Sequence, residues 1–121
     1  MTTKILLVDD DPGMIELIAE HIENCFSGIE LVTATSGYNA IKILQNNRNF
    51  EIIIADYNMP DGTGADVLKY IVQTKHPIFI VLHTSDLNPM LPGQLGDFFL
   101  GIVPKMNFDE LNRILVKLLI Q

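Results

Sequence analysis

Apolar residues along this chain fall into two alternating patterns. Ile5-Leu6-Leu7-Val8, Ile52-Ile53-Ile54-Ala55 and Ile78-Phe79-Ile80-Val81-Leu82 are short continuous apolar runs, the composition of strands buried on both faces. Leu31-Val32-Thr33-Ala34 and Leu100-Gly101-Ile102-Val103 read as weaker members of the same set. Between the runs, apolar residues recur at helical spacing: Ile15, Ile18, Ala19 and Ile22; Ala40, Ile41 and Leu44; Val67, Leu68, Ile71 and Val72; Leu111, Ile114, Leu115 and Leu118. Strand and helix therefore alternate about five times, which predicts an α/β fold with a doubly wound, five-stranded parallel sheet and helices on both faces.

Local signals set the boundaries. Asp11-Pro12 supplies an N-cap followed by proline in the first turn, so the first helix starts directly after the first strand and runs to about Cys25. Asn46-Asn47-Arg48-Asn49 stops the second helix, and Asp61-Gly62-Thr63-Gly64 is a loop that precedes the third. Where a fourth helix is due, residues 88–96 carry Pro89, Pro92, Gly93 and Gly96. Proline removes an amide donor and glycine has the largest backbone entropy, so that helix is expected to be short or irregular.

A chain of 121 residues fits one domain, expected to span residues 1–121, with no room for separate output domains. An apolar fraction of 48% is enough for a packed core. No run reaches the length of a membrane span and the N-terminus lacks a signal peptide's pattern, so a cytoplasmic protein without membrane contact is expected. With 15 acidic against 8 basic residues and a formal charge of -7, direct nucleic-acid binding is disfavoured. The single Cys25 cannot close an internal disulfide and is expected to be a buried thiol at a helix end.

In open parallel sheets, ligands bind beyond the carboxyl ends of the strands. The first strand ends in Asp9-Asp10-Asp11, the third in Asp56, the fourth in His83-Thr84-Ser85-Asp86 and the fifth in Pro104-Lys105. The topology gathers carboxylates, a hydroxyl and an ammonium on one sheet edge. Close carboxylates coexist in ionised form only if a cation is supplied, and hard oxygen ligands suit Mg2+. Lys105 adds a point charge, and Asp56 is a plausible nucleophile, because a carboxylate can form an acyl phosphate. Asp11 alone reads as a helix cap.

These residues resemble the receiver domain of two-component response regulators, a flavodoxin-like fold. The similarity covers nearly the whole chain and rests on Val8-Asp9-Asp10-Asp11-Pro12, on Asp56-Tyr57-Asn58-Met59-Pro60 with Gly64, on Val103-Pro104-Lys105, and on Gly37 and Ala40. The resemblance implies that Asp56 accepts a phosphoryl group from a histidine kinase or phosphotransfer protein. It implies Mg2+ held by Asp9, Asp10, Asp56 and the backbone carbonyl of Asn58, with Lys105 on the phosphoryl oxygens. It implies no independent enzyme, only a domain that assists phosphoryl transfer to its own aspartate and hydrolysis from it, and that signals to a downstream protein partner. A weak homodimer stays open. For the hydroxyl that reports the phosphoryl group, counting forward from Gly64 gives Thr84 and counting back from Lys105 gives His83. Thr84 is chosen for its hydroxyl, with Ser85 in reserve.

The chain departs from the family pattern at Ile102, where an aromatic residue is usual, at Met106, where proline is frequent, and in the Pro/Gly-rich fourth helix. The competing reading is a degenerate receiver that serves as a phosphorylation-independent protein-binding module. A flavodoxin-type flavin binder is opposed by Asp9-Asp10-Asp11, which would repel the flavin phosphate, and a haloacid dehalogenase-type phosphatase by Asn58, which stands where a second acid is needed.

Overall fold

The computed structural model describes residues 2–59, 63–86, 89, 91, 93 and 95–119. In chain order the elements are β1 (Thr3–Val8), α1 (Pro12–Cys25), β2 (Ile29–Ala34), α2 (Gly37–Asn46), β3 (Ile52–Ala55), α3 (Gly64–Thr74), β4 (Phe79–Thr84), a 3-10 turn (Gly96–Phe98), β5 (Phe99–Pro104) and α4 (Phe108–Leu119). The helices start where the polar residues say they should. The Asp11 side chain accepts from the Gly13 amide ahead of α1. Ser36 accepts from the Asn39 amide ahead of α2, and Thr63 and Asp66 cap α3 reciprocally.

All strand pairs are parallel and the sheet order is β2-β1-β3-β4-β5. Strand alternation divides the core into two layers. Leu6, Val8, Ile53, Ala55, Ile80 and Leu82 pack with Ala40, Leu44, Val67, Leu68 and Ile71 of α2 and α3. Ile5, Leu7, Ile52, Ile54, Val81 and Val103 pack with Ile18, Ile22, Leu111, Ile114 and Leu115 of α1 and α4. Ile53 and Ile54 are fully buried on opposite faces. Each such side chain contributes about 1.5–3 kcal/mol over its exposed form, which is why the central strand is apolar throughout. The doubly wound parallel sheet expected from the alternation is present.

Cys25 is exposed, not buried. It is the last residue of α1, and the next residue, Phe26, packs against the α1/α4 core in its place. Of residues 88–96, where the irregular fourth helix is expected, residues 88, 90, 92 and 94 lie outside the described residues. Among the described residues between β4 and β5 there is a 3-10 turn at Gly96–Phe98 and no α-helix. The β4–β5 ladder steps from Ile80↔Phe99 to Val81↔Gly101, a bulge in which Gly101 has φ 141°, a conformation that favours glycine. Among the described residues, no helix is long and apolar enough to cross a membrane.

Candidate functional site

The winding reverses between β1 and β3. From β1 the chain crosses to β2 on one side, whereas β3, β4 and β5 follow in order on the other. The edge between β1 and β3 is therefore the place where the flanking connections part and leave a crevice. Asp9 and Asp56 are the residues that follow these two strands. Their backbones prolong the ladder by one step: the Asp56 amide donates to the Val8 carbonyl at 2.9 Å, and the Asp9 amide donates to the Ala34 carbonyl at 3.1 Å. Continued alternation places both carboxylates on the α1/α4 side, in line with Leu7 and Ile54.

Asp9 and Asp56 are 1% and 3% exposed, while Asp10 is exposed. One carboxylate oxygen from each of the three lies within 4.8 Å of the others. Lys105, directly after β5, reaches in from the side: its Nζ is 2.9 Å from Asp56 Oδ2 and 3.5 Å from Asp9 Oδ2. Backbone amides hold the carboxylates from behind. Asp9 Oδ1 accepts from Asp11 N at 2.9 Å, and Asp56 Oδ1 accepts from Asn58 N at 3.2 Å. Each buried acid thus has one oxygen fixed by the chain and the other turned toward Lys105.

Burial lifts the Asp9 carboxyl above its usual range, opposed by the Asp11 amide and the Lys105 charge and aided by the neighbouring Asp56. Burial by itself would lower the Lys105 ammonium, but the hydrogen bond and charge of Asp56, with those of Asp9, outweigh it and hold the ammonium raised. Lys105 is therefore a fixed positive charge at neutral pH. Three carboxylates against one ammonium leave two negative charges uncompensated at this edge. A hard divalent cation fits that donor set in chemistry and in charge: Asp9, Asp10 and Asp56 supply the carboxylates, and Asn58 sits beside them with its backbone already tied to Asp56.

The structure thus brings together Asp9, Asp10, Asp56 and Lys105, from β1, β3 and β5. It places the proposed reporter differently. Thr84 is fully buried, and alternation along β4 sets it with Ile80 and Leu82 on the α2/α3 side, away from the face that carries Asp56. Its Oγ1 accepts from the Asp86 amide at 3.2 Å. Ser85 is exposed beyond the strand end. His83 is the β4 residue on the α1/α4 side, in line with Val81, and continuing the register Ala55↔Leu82 by one step sets it beside Asp56. It is 1% exposed, and its Nε2 accepts from the Met106 amide, next to Lys105, at 3.2 Å. Burial and the Lys105 charge push its imidazole down to about 4 against the pull of Asp56, so the ring is neutral. Counting back from Lys105 in the sequence reaches His83, and strand parity sets this residue, not Thr84, on the face that carries Asp56.

Ile102 packs against the α2/α3 core, and Met106 has φ 69°, a left-handed conformation for a side-chain-bearing residue. Gly64, the first residue of α3, packs so closely that an added Cβ would lie 2.6 Å from both the Asp56 carbonyl oxygen and the Tyr57 Cα. That contact explains why glycine is needed eight residues after the aspartate.

The response regulator receiver domain family matches residues 5–96 of this chain. The two-component response regulator ORR26 of Oryza sativa subsp. japonica is 35% identical over 92 residues, 74% of this chain and 16% of that protein. The response regulator SaeR of Staphylococcus aureus (strain USA300) is 33% identical over 83 residues, 69% of this chain and 35% of that protein. The chain therefore spans about a third or less of the curated relatives it matches here. Among solved structures, the response regulator TrrA from Thermotoga maritima, determined in complex with Mg2+–BeF, is 32% identical with a TM-score of 0.81, over 98% of this chain and 100% of that one. With a five-stranded parallel sheet, acids at the β1 and β3 ends and a lysine at the β5 end, this chain belongs to the response regulator receiver domain family of two-component signalling.

Proposed function

We propose that this chain accepts a phosphoryl group on Asp56 from the phosphohistidine of a histidine kinase or phosphotransfer protein, and acts in the cytoplasm through contacts with a downstream protein partner. The observation that carries this reading is the Asp56 carboxylate itself. It is buried, has one oxygen held by Lys105 at 2.9 Å, and has ligand oxygens of Asp9 and Asp10 within 4.8 Å. One carboxylate oxygen attacks phosphorus, the bond from phosphorus to the donor's imidazole nitrogen breaks, and its electron pair leaves with that nitrogen. Lys105 already lies against the attacking carboxylate and supplies positive charge to the phosphoryl oxygens as they arrive. Asp9, Asp10, Asp56 and the Asn58 carbonyl would hold Mg2+, which when bound compensates charge on a phosphoryl oxygen. The same groups serve hydrolysis of the aspartyl phosphate, so the domain assists the chemistry of its own residue and is not an independent enzyme.

The reading as a phosphorylation-independent module is not favoured, because the acids and the lysine are all present and converge. Incubation with acetyl phosphate and Mg2+ followed by intact-mass measurement should add one phosphoryl group; an unchanged mass would sink the proposal. Lys105→Ala is expected to slow that addition by about a hundredfold, the scale of removing one positioned electrostatic group. A variant that phosphorylates at the wild-type rate would leave Lys105 only a structural role. Asp10→Ala should weaken Mg2+ binding, since one oxygen ligand is lost from an exposed position that the core does not need. Equal affinity of the two proteins in a metal titration would remove Asp10 from the site.

A further inference from the structure

The buried ring of His83 is only half satisfied. Its Nε2 accepts from the Met106 amide, so in the neutral ring the proton sits on Nδ1. That Nδ1 has no hydrogen-bond partner among the described residues, although the side chain is 1% exposed. A buried donor left without an acceptor is disfavoured, and one persisting at a sheet edge beside Asp56 calls for an explanation. A phosphoryl group on Asp56 would place three strong acceptor oxygens on the same face of the sheet.

We propose that His83, in place of a hydroxyl residue, is the group that senses the phosphoryl: its Nδ1–H donates to a phosphoryl oxygen on Asp56, while its Nε2 ties that event to the turn between β5 and α4. This inference rests on Asp56 being the phosphoacceptor. The route outward runs through Met106 and Phe108. The Met106 amide bonded to His83 belongs to a residue with φ 69°, a conformation that persists only while its surroundings hold it. The His83 ring lies roughly parallel to that of Phe108, the first residue of α4, at 6.5 Å between centroids and 18° between planes. Phe108 in turn stacks on His21 of α1 at 4.7 Å and 25°, and His21 Nε2 is hydrogen-bonded to Asn112 Oδ1 at 2.7 Å. Any tilt of the His83 ring toward Asp56 must therefore act on the Met106 amide and on the packing between α4 and α1. Thr84 lacks such a path, since it faces the other layer and its hydroxyl is engaged by Asp86.

The test uses the isotope-labelled chain with Mg2+ and beryllofluoride as the phosphoryl mimic. Ring nitrogen-15 spectra should show Nδ1 protonated and Nε2 as an acceptor in the free protein. Adding the mimic should shift the Nδ1–H signal downfield and move the Met106 amide. His83→Leu, which keeps bulk but has no donor, should bind beryllofluoride roughly tenfold or more weakly, the factor carried by a hydrogen bond to a charged group. His83→Asn, whose amide N–H can stand near the Nδ1 position, should recover most of that affinity. If the amides around Asp56 shift while the His83 ring and Met106 do not, or if Leu and Asn variants lose affinity equally, the role assigned to His83 is overturned and the phosphoacceptor reading survives. Absence of any shift, together with no mass addition from acetyl phosphate, overturns both.

Discussion

Asp56→Asn is expected to abolish phosphoryl addition from acetyl phosphate while leaving the domain folded. The amide nitrogen and oxygen are far weaker nucleophiles than a carboxylate oxygen, and an amide cannot form the acyl phosphate. The fold should tolerate the change, because Asn has nearly the same shape, its Oδ1 can still accept from the Asn58 amide, and the substitution removes one of two buried carboxylates that repel each other. The cost is a weaker partner for Lys105, whose Nζ keeps Asp9 within 3.5 Å. Intact mass and circular dichroism on the same sample separate these effects. A phosphoryl mass shift that survives in the Asn variant would move the acceptor to another residue, whereas loss of the folded spectrum would mean that the Asp56–Lys105 pair is primarily structural.

Gly64→Ala should produce the largest loss of stability among single-atom additions near the site. Its new Cβ would meet the Asp56 carbonyl oxygen and the Tyr57 Cα at 2.6 Å, both backbone atoms that no rotamer change can move. The start of α3 is also tied there, since the Gly64 amide donates to the Tyr57 carbonyl at 2.8 Å. Relief requires shifting either the helix start or the loop that carries Asp56. Overpacking of this kind costs about 3 kcal/mol, which for a chain of this size lowers Tm by about 10 °C. Phosphorylation should slow as well, because the Asp56 backbone is one of the two things that must move. Gly93→Ala is the control, since a Cβ there meets nothing within 4 Å among the described residues, and its effect should stay within about 0.5 kcal/mol. Equal melting temperatures for the Gly64 and Gly93 variants would show that the contact relaxes at no cost.

The residues that carry charge at this site were legible because each stands directly after an apolar run. Asp9 follows Leu7-Val8, Asp56 follows Ile54-Ala55, and Lys105 follows Val103-Pro104. In a parallel sheet the ends of such runs lie on one edge whatever the details of packing, so sequence order alone brought acids and lysine together. The helix caps Asp11, Ser36 and Thr63 act through neighbours two or three residues away and are local for the same reason. Cys25 is exposed against expectation because burial depends on how far a helix overhangs the sheet, and α1 ends where Phe26, not Cys25, reaches the core.

The sequence by itself determined the alternation of strands and helices, the edge on which the chemistry lies, and the identity of the acids and the lysine. All of these follow from period, order and short-range capping. Only the tertiary structure decided which of two adjacent polar residues at the end of β4 faces that chemistry. Side chains on a strand alternate with period two, so a one-residue error in counting exchanges the faces completely, and motif spacing carried an ambiguity of that size. The register Ala55↔Leu82 and the shared layer of Val81 and Val103 remove it, setting His83 beside Asp56 and Thr84 in the opposite layer.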